Sequence, residues 1–196
     1  MGVEQVNTLQ IHFPDPETPL KEQAETFDSL HKAGKFKNPE LLQEFIDICE
    51  ANGYIKPTVY QGDYSAVNQG MEKKLLLILK KYGIAYNAFR HTLRRRWSHE
   101  QIHAEPLQPG SLHDAVKQLD KTTRALGTTT IDAALRWAYY HSLLEESDGI
   151  ILGASSVKQI KSNIESVSRG PLPQECLGTF ERIWEILWGP VKGDFL

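Results

Sequence analysis

Apolar positions recur along this chain at two spacings. In seven stretches they fall three or four residues apart, and in four short runs they alternate or stand together. The first helical pattern runs from Pro19 to about Lys35, with Leu20, Ala24, Phe27 and Leu30 on one face and Gly34 near its end. In NPELLQEFIDICEANG, Asn38 is a natural N-cap and Pro39 suits the first turn, while Leu42, Phe45 and Cys49 form the stripe and Gly53 stops it. MEKKLLLILKKYG predicts a third helix ending at Gly83. SLHDAVKQLDKTTRALG carries Leu112, Val116, Leu119 and Leu126 between Ser111 as cap and Gly127 as stop. TTTIDAALRWAYYHSLLEES follows, with Ile131, Leu135 and Ala138 expected to face inward. SSVKQIKSNIESVSRG begins at two serines and keeps Val157, Ile160, Ile164 and Val167 at helical spacing. The last helix, from about Pro173 to Trp188, carries Phe180, Ile183, Trp184 and Leu187.

Strand candidates lie between these patterns at Val6–Ile11, Thr58–Gln61, Ile84–Phe89 and Gly149–Leu152. The last is an apolar run of the kind buried on both faces. Strand followed by helix, repeated, predicts an α/β protein with a parallel sheet. The alternation breaks between AGKFK and NPELL, where no room is left for a strand, and again in an irregular stretch at about 91–110. A loop of that length in a compact domain is functional, disordered, or a departure from the standard fold.

Composition narrows the function classes. A chain of 196 residues with 40% hydrophobic and 24% charged residues suits one soluble domain with a real core. The net charge of -3 offers no global attraction to nucleic acid or an anionic membrane. One short basic run, Arg94–Arg96 beside Trp97, lacks the broad footprint of nucleic-acid binding and reads as a solvated loop. Cys49 and Cys176 match no metal spacing and are expected to be buried and reduced. His99, His103 and His113 do not make a metal set either. The N-terminus has no secretory pattern, and no stretch approaches the ~18 apolar residues of a membrane span. The expectation is a cytoplasmic protein with no membrane and no nucleic-acid partner.

Two places carry candidate chemistry. IILGASSVKQIKSN reads as strand, tight turn and helix N-terminus, where the first amides favour an anion. Ser155 and Ser156 add hydroxyl donors, Lys158 and Lys161 add charge, and Gln159 and Asn163 share a face at i and i+4. An ordinary capped helix with a solvated lysine face would look the same. The second place is LQIHFPD, where His12 ends a strand: a neutral imidazole there can hydrogen-bond a carbonyl oxygen and orient it. No G-x-G-x-x-G is present, so a Rossmann site is not indicated.

Several motifs together resemble the aldo-keto reductase superfamily, in particular its aflatoxin-aldehyde-reductase-like branch. LQIHFPD resembles the strand end with the active-site histidine, and FDSLHKAGKFK the helix after it. PTVYQGDYS resembles the strand whose glutamine, here Gln61, meets the nicotinamide amide. AALRWAYYHSLL, DGIILGASSVKQIKSNIE and RGPLP resemble the final helix, strand, cofactor loop and helix in their family order. The resemblance implies an incomplete (β/α)8 TIM barrel, roughly its second half, of parallel strands with outer helices, as a single truncated domain over residues 1–196. Aligned by motif, the chain begins at about the fourth strand. The family's catalytic tyrosine, lysine and aspartate then belong upstream of Met1, and its fifth strand falls in a gap at Lys37–Asn38.

The resemblance further implies NADPH as cofactor and reduction of an aldehyde or ketone to an alcohol, in a family with members in fungal secondary metabolism. His12 would be the catalytic residue. Gln61, Ser155, Ser156, Lys158, Gln159 and Asn163 would hold the cofactor, with the lysines on a 2′-phosphate and Gln159 and Asn163 at the adenine. The alternative of another class is a non-catalytic pseudo-reductase that binds NADP or a partner protein. An open barrel also leaves strand edges through which the chain can pair with a copy of itself or with another protein.

Overall fold

Val59–Asp63 (β1) and Ala85–Phe89 (β2) run parallel and pair along their full length, from Val59↔Ala85 to Asp63↔Phe89. Gly149–Ile150 (β3) joins the other side of β2, also parallel, through Asn87↔Gly149 and Ala88↔Ile150. The sheet order is therefore β1-β2-β3, with helical crossovers between neighbours. This is the order of consecutive strands in a (β/α)8 barrel. The structure, a computed structural model, describes residues 15, 17–30, 39–89 and 109–188. The expected strand Val6–Ile11, the junction at Lys37–Asn38 and residues 91–108 of the irregular stretch lie outside the described residues.

Seven helices surround the strands among the described residues: α1 Leu20–Leu30, α2 Pro39–Asn52, α3 Leu75–Tyr82, α4 Pro109–Ala125, α5 Thr130–Tyr140, α6 Val157–Ser168 and α7 Gln174–Trp188. The helix expected over MEKKLLLILKKYG is split. Gly70–Glu72 forms one 3-10 turn, and α3 starts only at Leu75, where the apolar run LLLIL begins. It stops at Gly83, whose φ of 66° is the left-handed cap and whose N–H returns to the carbonyls of Leu79 and Lys80.

Burial alternates along β1 and β2. Tyr60, Gly62, Tyr86 and Ala88 are buried, while Val59, Gln61, Asp63, Ala85, Asn87 and Phe89 are half-buried. The buried set joins one core with Phe45 and Ile46 of α2, Leu75 and Leu79 of α3 and Trp137 of α5. Tyr60 stacks on Tyr86, and Tyr64 meets both Tyr86 and Trp137 edge to face. The helices thus cover one face of the sheet, and the other face, a barrel's interior face, is partly open.

One expectation is corrected by burial. The run at Gly149–Leu152 is not buried on both faces: Gly149 and Ile150 are half-buried and Ile151 is 39% exposed. Among the described residues β3 has a neighbour only on the β2 side, which leaves its far edge and one face uncovered. Nor is the apolar stripe of α6 fully buried, since Val157 is 70% and Ile164 58% exposed.

An ion-pair network fastens the C-terminal helices. Asp132, 3% exposed, accepts from Arg136 Nη1 at 3.3 Å, from Arg169 Nη1 at 3.2 Å and from the Thr128 hydroxyl. Arg136 also donates through Nε to the Gly170 carbonyl at 2.7 Å and through Nη2 to that of Pro171 at 2.6 Å. Beside it, Leu172 N donates to Nε2 of His141 at 2.8 Å. Burial and the Arg136 charge both hold the His141 pKa below its ordinary value, which keeps the ring in the neutral, accepting form. The segment from Arg169 to Leu172 is tied to α5 from both ends. Cys49 and Cys176 are buried thiols, as expected.

Candidate functional site

The described candidates lie on two elements, Gln61 on the half-open face of the sheet and the others at the β3–α6 turn and in α6. Gln61 stands on that face of β1, half-buried, in register with Asn87 of β2. Asn87 is in turn in register with Gly149 of β3. A Cβ built on Gly149 would come within 2.5 Å of Asn87 Oδ1, so the Asn87 amide lies over bare backbone. By resemblance the sequence points to Gln61, and it sets Asn87 at about the place of the family's nicotinamide-stacking tyrosine. A second signal for Asn87 is the two-residue period of AYNAF, which sets it opposite the buried Tyr86, but the register that pairs it with Gln61 is not legible in a single strand.

From β3 the chain passes through Ile151–Ala154 into α6, and the capping chemistry there is explicit. Ser156 is the N-cap, extended at φ -153°, and its hydroxyl oxygen accepts from Gln159 N at 3.2 Å. Gln159 reaches back, its Oε1 accepting from Ser155 N at 2.8 Å and from the Ser155 hydroxyl at 3.1 Å. The first-turn amide of Gln159 and the amide of Ser155, just before the cap, are thus satisfied reciprocally. Lys158 and Lys161 are exposed on the same turn and the next. Asn163 departs from the surface position expected beside Gln159. It is 6% exposed, and its Nδ2 donates to the Gly153 carbonyl at 3.4 Å, bracing the turn from beneath. The structure therefore brings Ser155, Ser156, Lys158 and Gln159 together at the exposed N-terminus of α6, with Asn163 as their support and Gln61 apart from them on the sheet.

His12 lies outside the described residues, as do Arg94–Arg96, Trp97, His99 and His103. No group of three or more histidine, cysteine, aspartate or glutamate residues suited to a metal occurs among the described residues. No helix among them is long and apolar enough to cross a membrane.

The tyrosines near the sheet bear on proton donation. Tyr60, Tyr64 and Tyr86 are each 1–2% exposed, and burial pushes all three phenols well above their ordinary pKa. Tyr64 donates to Glu72 Oε1 at 2.5 Å and accepts from Leu143 N at 2.9 Å, joining the end of β1 to the end of α5. Burial raises the Glu72 carboxyl as well. These groups are core and clamp, and none faces the open side with a labile proton.

Comparison with known proteins agrees with the order of these elements. Residues 1–185 match the Aldo/keto reductase family. An aldo-keto reductase of Pseudocercospora fijiensis is 32% identical over 95% of the chain and 73% of its own length. The oxidoreductase sirO of Leptosphaeria maculans is 29% identical over 95% of the chain and 65% of its own length. The aflatoxin B1 aldehyde reductase member 2 of Homo sapiens is 28% identical over 93% and 60%. The chain thus spans about two thirds of the length of these relatives. A family match over nearly the whole sequence, a parallel β1-β2-β3 order with outer helices and the capped turn into α6 are independent observations with one explanation: the chain belongs to the aldo/keto reductase family, in its aflatoxin-aldehyde-reductase-like branch.

Proposed function

We propose that the protein reduces an aldehyde or ketone to an alcohol with NADPH, within the oxidoreductase chemistry of its family. The observation that carries this is the β3–turn–α6 unit, an exposed helix N-terminus with hydroxyls and lysines. Its donor set suits a phosphate: the Ser156 hydroxyl, which only accepts in the cap, has its proton to give, the Ser155 hydroxyl can turn from Gln159 to the ligand, and the first-turn amides carry the positive end of the helix dipole. Lys158 supplies a point charge for the 2′-phosphate. Gln159 sits beside it for the adenine end, and Asn163 holds the turn in shape from below. Gln61 offers both a donor and an acceptor to the nicotinamide carboxamide. The cofactor, when bound, supplies the hydride. His12 hydrogen-bonds the substrate carbonyl oxygen and orients it for that transfer. The work is expected in the cytoplasm, and the relatives make a role in secondary metabolism the first to test.

A second reading is favoured by the tyrosines. With Tyr60, Tyr64 and Tyr86 buried and hard to ionise, none is available as the proton donor. Losing a general acid costs about 10²–10⁴ in rate. The second reading is a pseudo-reductase that binds NADP, or a partner protein, without turnover.

The experiment is a titration of the purified chain with NADPH by tryptophan fluorescence, followed by a test aldehyde and the absorbance of NADPH. The reductase reading expects saturable binding and consumption, and His12→Ala should lower the consumption about 10²-fold or more. Saturable binding without consumption decides for the pseudo-reductase. Absence of any binding overturns the cofactor assignment in both.

A further inference from the structure

We infer that His141 is an acid-sensitive latch on the connection between α6 and α7, closed while its imidazole is neutral and opened when both ring nitrogens carry a proton. The latch works whatever the chain binds. The connection is short, since α6 ends at Ser168 and α7 begins at Gln174. Side chains of α5 and its C-cap hold it from one side. Arg136 donates through Nε to the Gly170 carbonyl at 2.7 Å and through Nη2 to the Pro171 carbonyl at 2.6 Å. Those donors do not titrate, because a guanidinium keeps its charge at any pH at which the chain is folded. The third contact, from Leu172 N to His141 Nε2 at 2.8 Å, runs the other way. There the connection donates, and the side chain must accept.

A neutral imidazole has one nitrogen that accepts. Nε2 fills that role here, so Nδ1 carries the proton. Acid adds a hydrogen to Nε2 and sets two N–H groups against each other at a hydrogen-bonding distance. The Leu172 amide then has no acceptor. Its side chain is 6% exposed and belongs to the core, which holds the amide where it is. A buried donor left without a partner costs more than the bond itself was worth. The other ties of this region survive the change. Tyr140 donates its hydroxyl to the Val167 carbonyl at 2.8 Å, and Arg136 keeps Gly170 and Pro171. What acid releases is therefore the entry to α7, not the exit from α6.

The charges around the ring act in the same direction. Burial, and then the Arg136 cation, hold the His141 pKa below its ordinary value. The Asp132 carboxylate is already shared by Arg136, by Arg169 of the connection and by Thr128. From α7 the titratable group beside this network is the Cys176 thiol, which burial pushes up and so keeps neutral. After α5, Glu145 pairs with Lys80, and Asp148 accepts from Tyr86 N and Glu145 N. Glu146, Glu165 of α6 and Glu175 of α7 are exposed and are not among the charges that move the ring's pKa. Because the folded pKa lies below that of a histidine in the unfolded chain, the unfolded chain takes this proton first. The latch therefore contributes fully above 6.5, and its contribution is lost as pH falls from there toward the folded value.

The test is an NMR titration of the full 196-residue chain from neutral pH into acid. It follows the ring nitrogens of His141 and the hydrogen exchange of the Leu172 amide. The Gly170 amide, which donates to the Val167 carbonyl, is the internal control. At neutral pH the ring should carry its proton on Nδ1. As the ring titrates, the Leu172 amide should lose about tenfold in protection, the worth of one hydrogen bond, while Gly170 keeps its own. His141→Gln puts a non-titrating amide oxygen within reach of the same N–H. It should keep Leu172 protected throughout and hold its urea midpoint in acid better than the wild type. Where that variant does not fold, the wild-type signals decide alone. A ring that titrates at or above 6.5, a Leu172 amide indifferent to the ring, or joint loss at Leu172 and Gly170 would each overturn the latch.

Discussion

Arg136 is a cation with about a tenth of its side chain in contact with water, and its surroundings explain how it is tolerated. Its guanidinium is shared between the Asp132 carboxylate and the carbonyls of Gly170 and Pro171, so its charge is balanced and several of its donors are bonded. Removing one partner of a buried pair strands the other, which costs about 3–5 kcal/mol. Asp132→Ala is therefore expected to lower stability by about that amount, seen as a shift in the urea midpoint with an unchanged slope. Arg169→Ala, at the exposed end of the same carboxylate, should shift the midpoint far less. A small shift for Asp132→Ala would mean that the network is not what fastens α5 to the following loop. Little of this was legible in the sequence. AALRWAYY and RGPLP were recognised as family segments, but nothing local in them says that an arginine of one reaches the backbone of the other. Asp132 and Arg136 at i and i+4 read equally well as a solvated surface pair.

At the scale of elements the sequence was informative where local rules decide. The stop at Gly83 and the cap at Ser156 follow from residue type alone, and the structure has both, whereas Ser111, expected as a cap, lies inside α4. Ser156→Ala should destabilise the protein by about 1 kcal/mol, the usual worth of an N-cap. Loss of hydrogen-exchange protection in the first turn of α6 would be its signature, and unchanged protection would mean that the Gln159 back-bond carries the cap alone. Strand limits were less legible. β1 runs on through Gly62 and Asp63, residues that propensity assigns to turns, because their partners Ala88 and Phe89 continue the ladder. The split of the helix before α3 was missed for the opposite reason, as MEKK has good helix formers and no visible break. The α6 stripe was legible as apolar, and its exposure at Val157 and Ile164 was not. Periodicity reports which face is apolar, and only the neighbouring element decides whether that face is buried.

At the scale of the whole molecule, the order of motifs was the strongest signal. Strand, helix and capped turn recur in barrel order from β1 to α7, and the family match runs through them. What the sequence could not supply was how the sheet ends. A groove of about 860 Å³ lies along α5, β3 and α6, lined by Leu135, Tyr139, Ile150, Leu152, Ile164 and Val167 among others. Beside it the far edge of β3 has no strand among the described residues. Open edges with apolar surroundings are templates for association. The chain alone is expected to associate as its concentration rises, and Ile164→Lys, which places a charge on the exposed α6 face, should shift it toward the monomer in sedimentation velocity. A sharp monomer across the concentration range would show that this face tolerates water unaided.

The fastening of residues 169–172 to α5 also has a mechanical meaning. One end of α6 is joined to α5 through Arg136 and His141, while its other end is the capped turn at Ser156. A helix of 12 residues is about 18 Å long. For any pivot at its fastened end, the fulcrum is remote from the tip. A tilt of about 3° at the pinned end carries the tip by on the order of 1 Å, about a third of a hydrogen-bond length. Small adjustments in the packing of α5 are thereby magnified at Ser155 and Ser156. The residues that set the angle of the anion-receiving end are then the ones furthest from it along the helix.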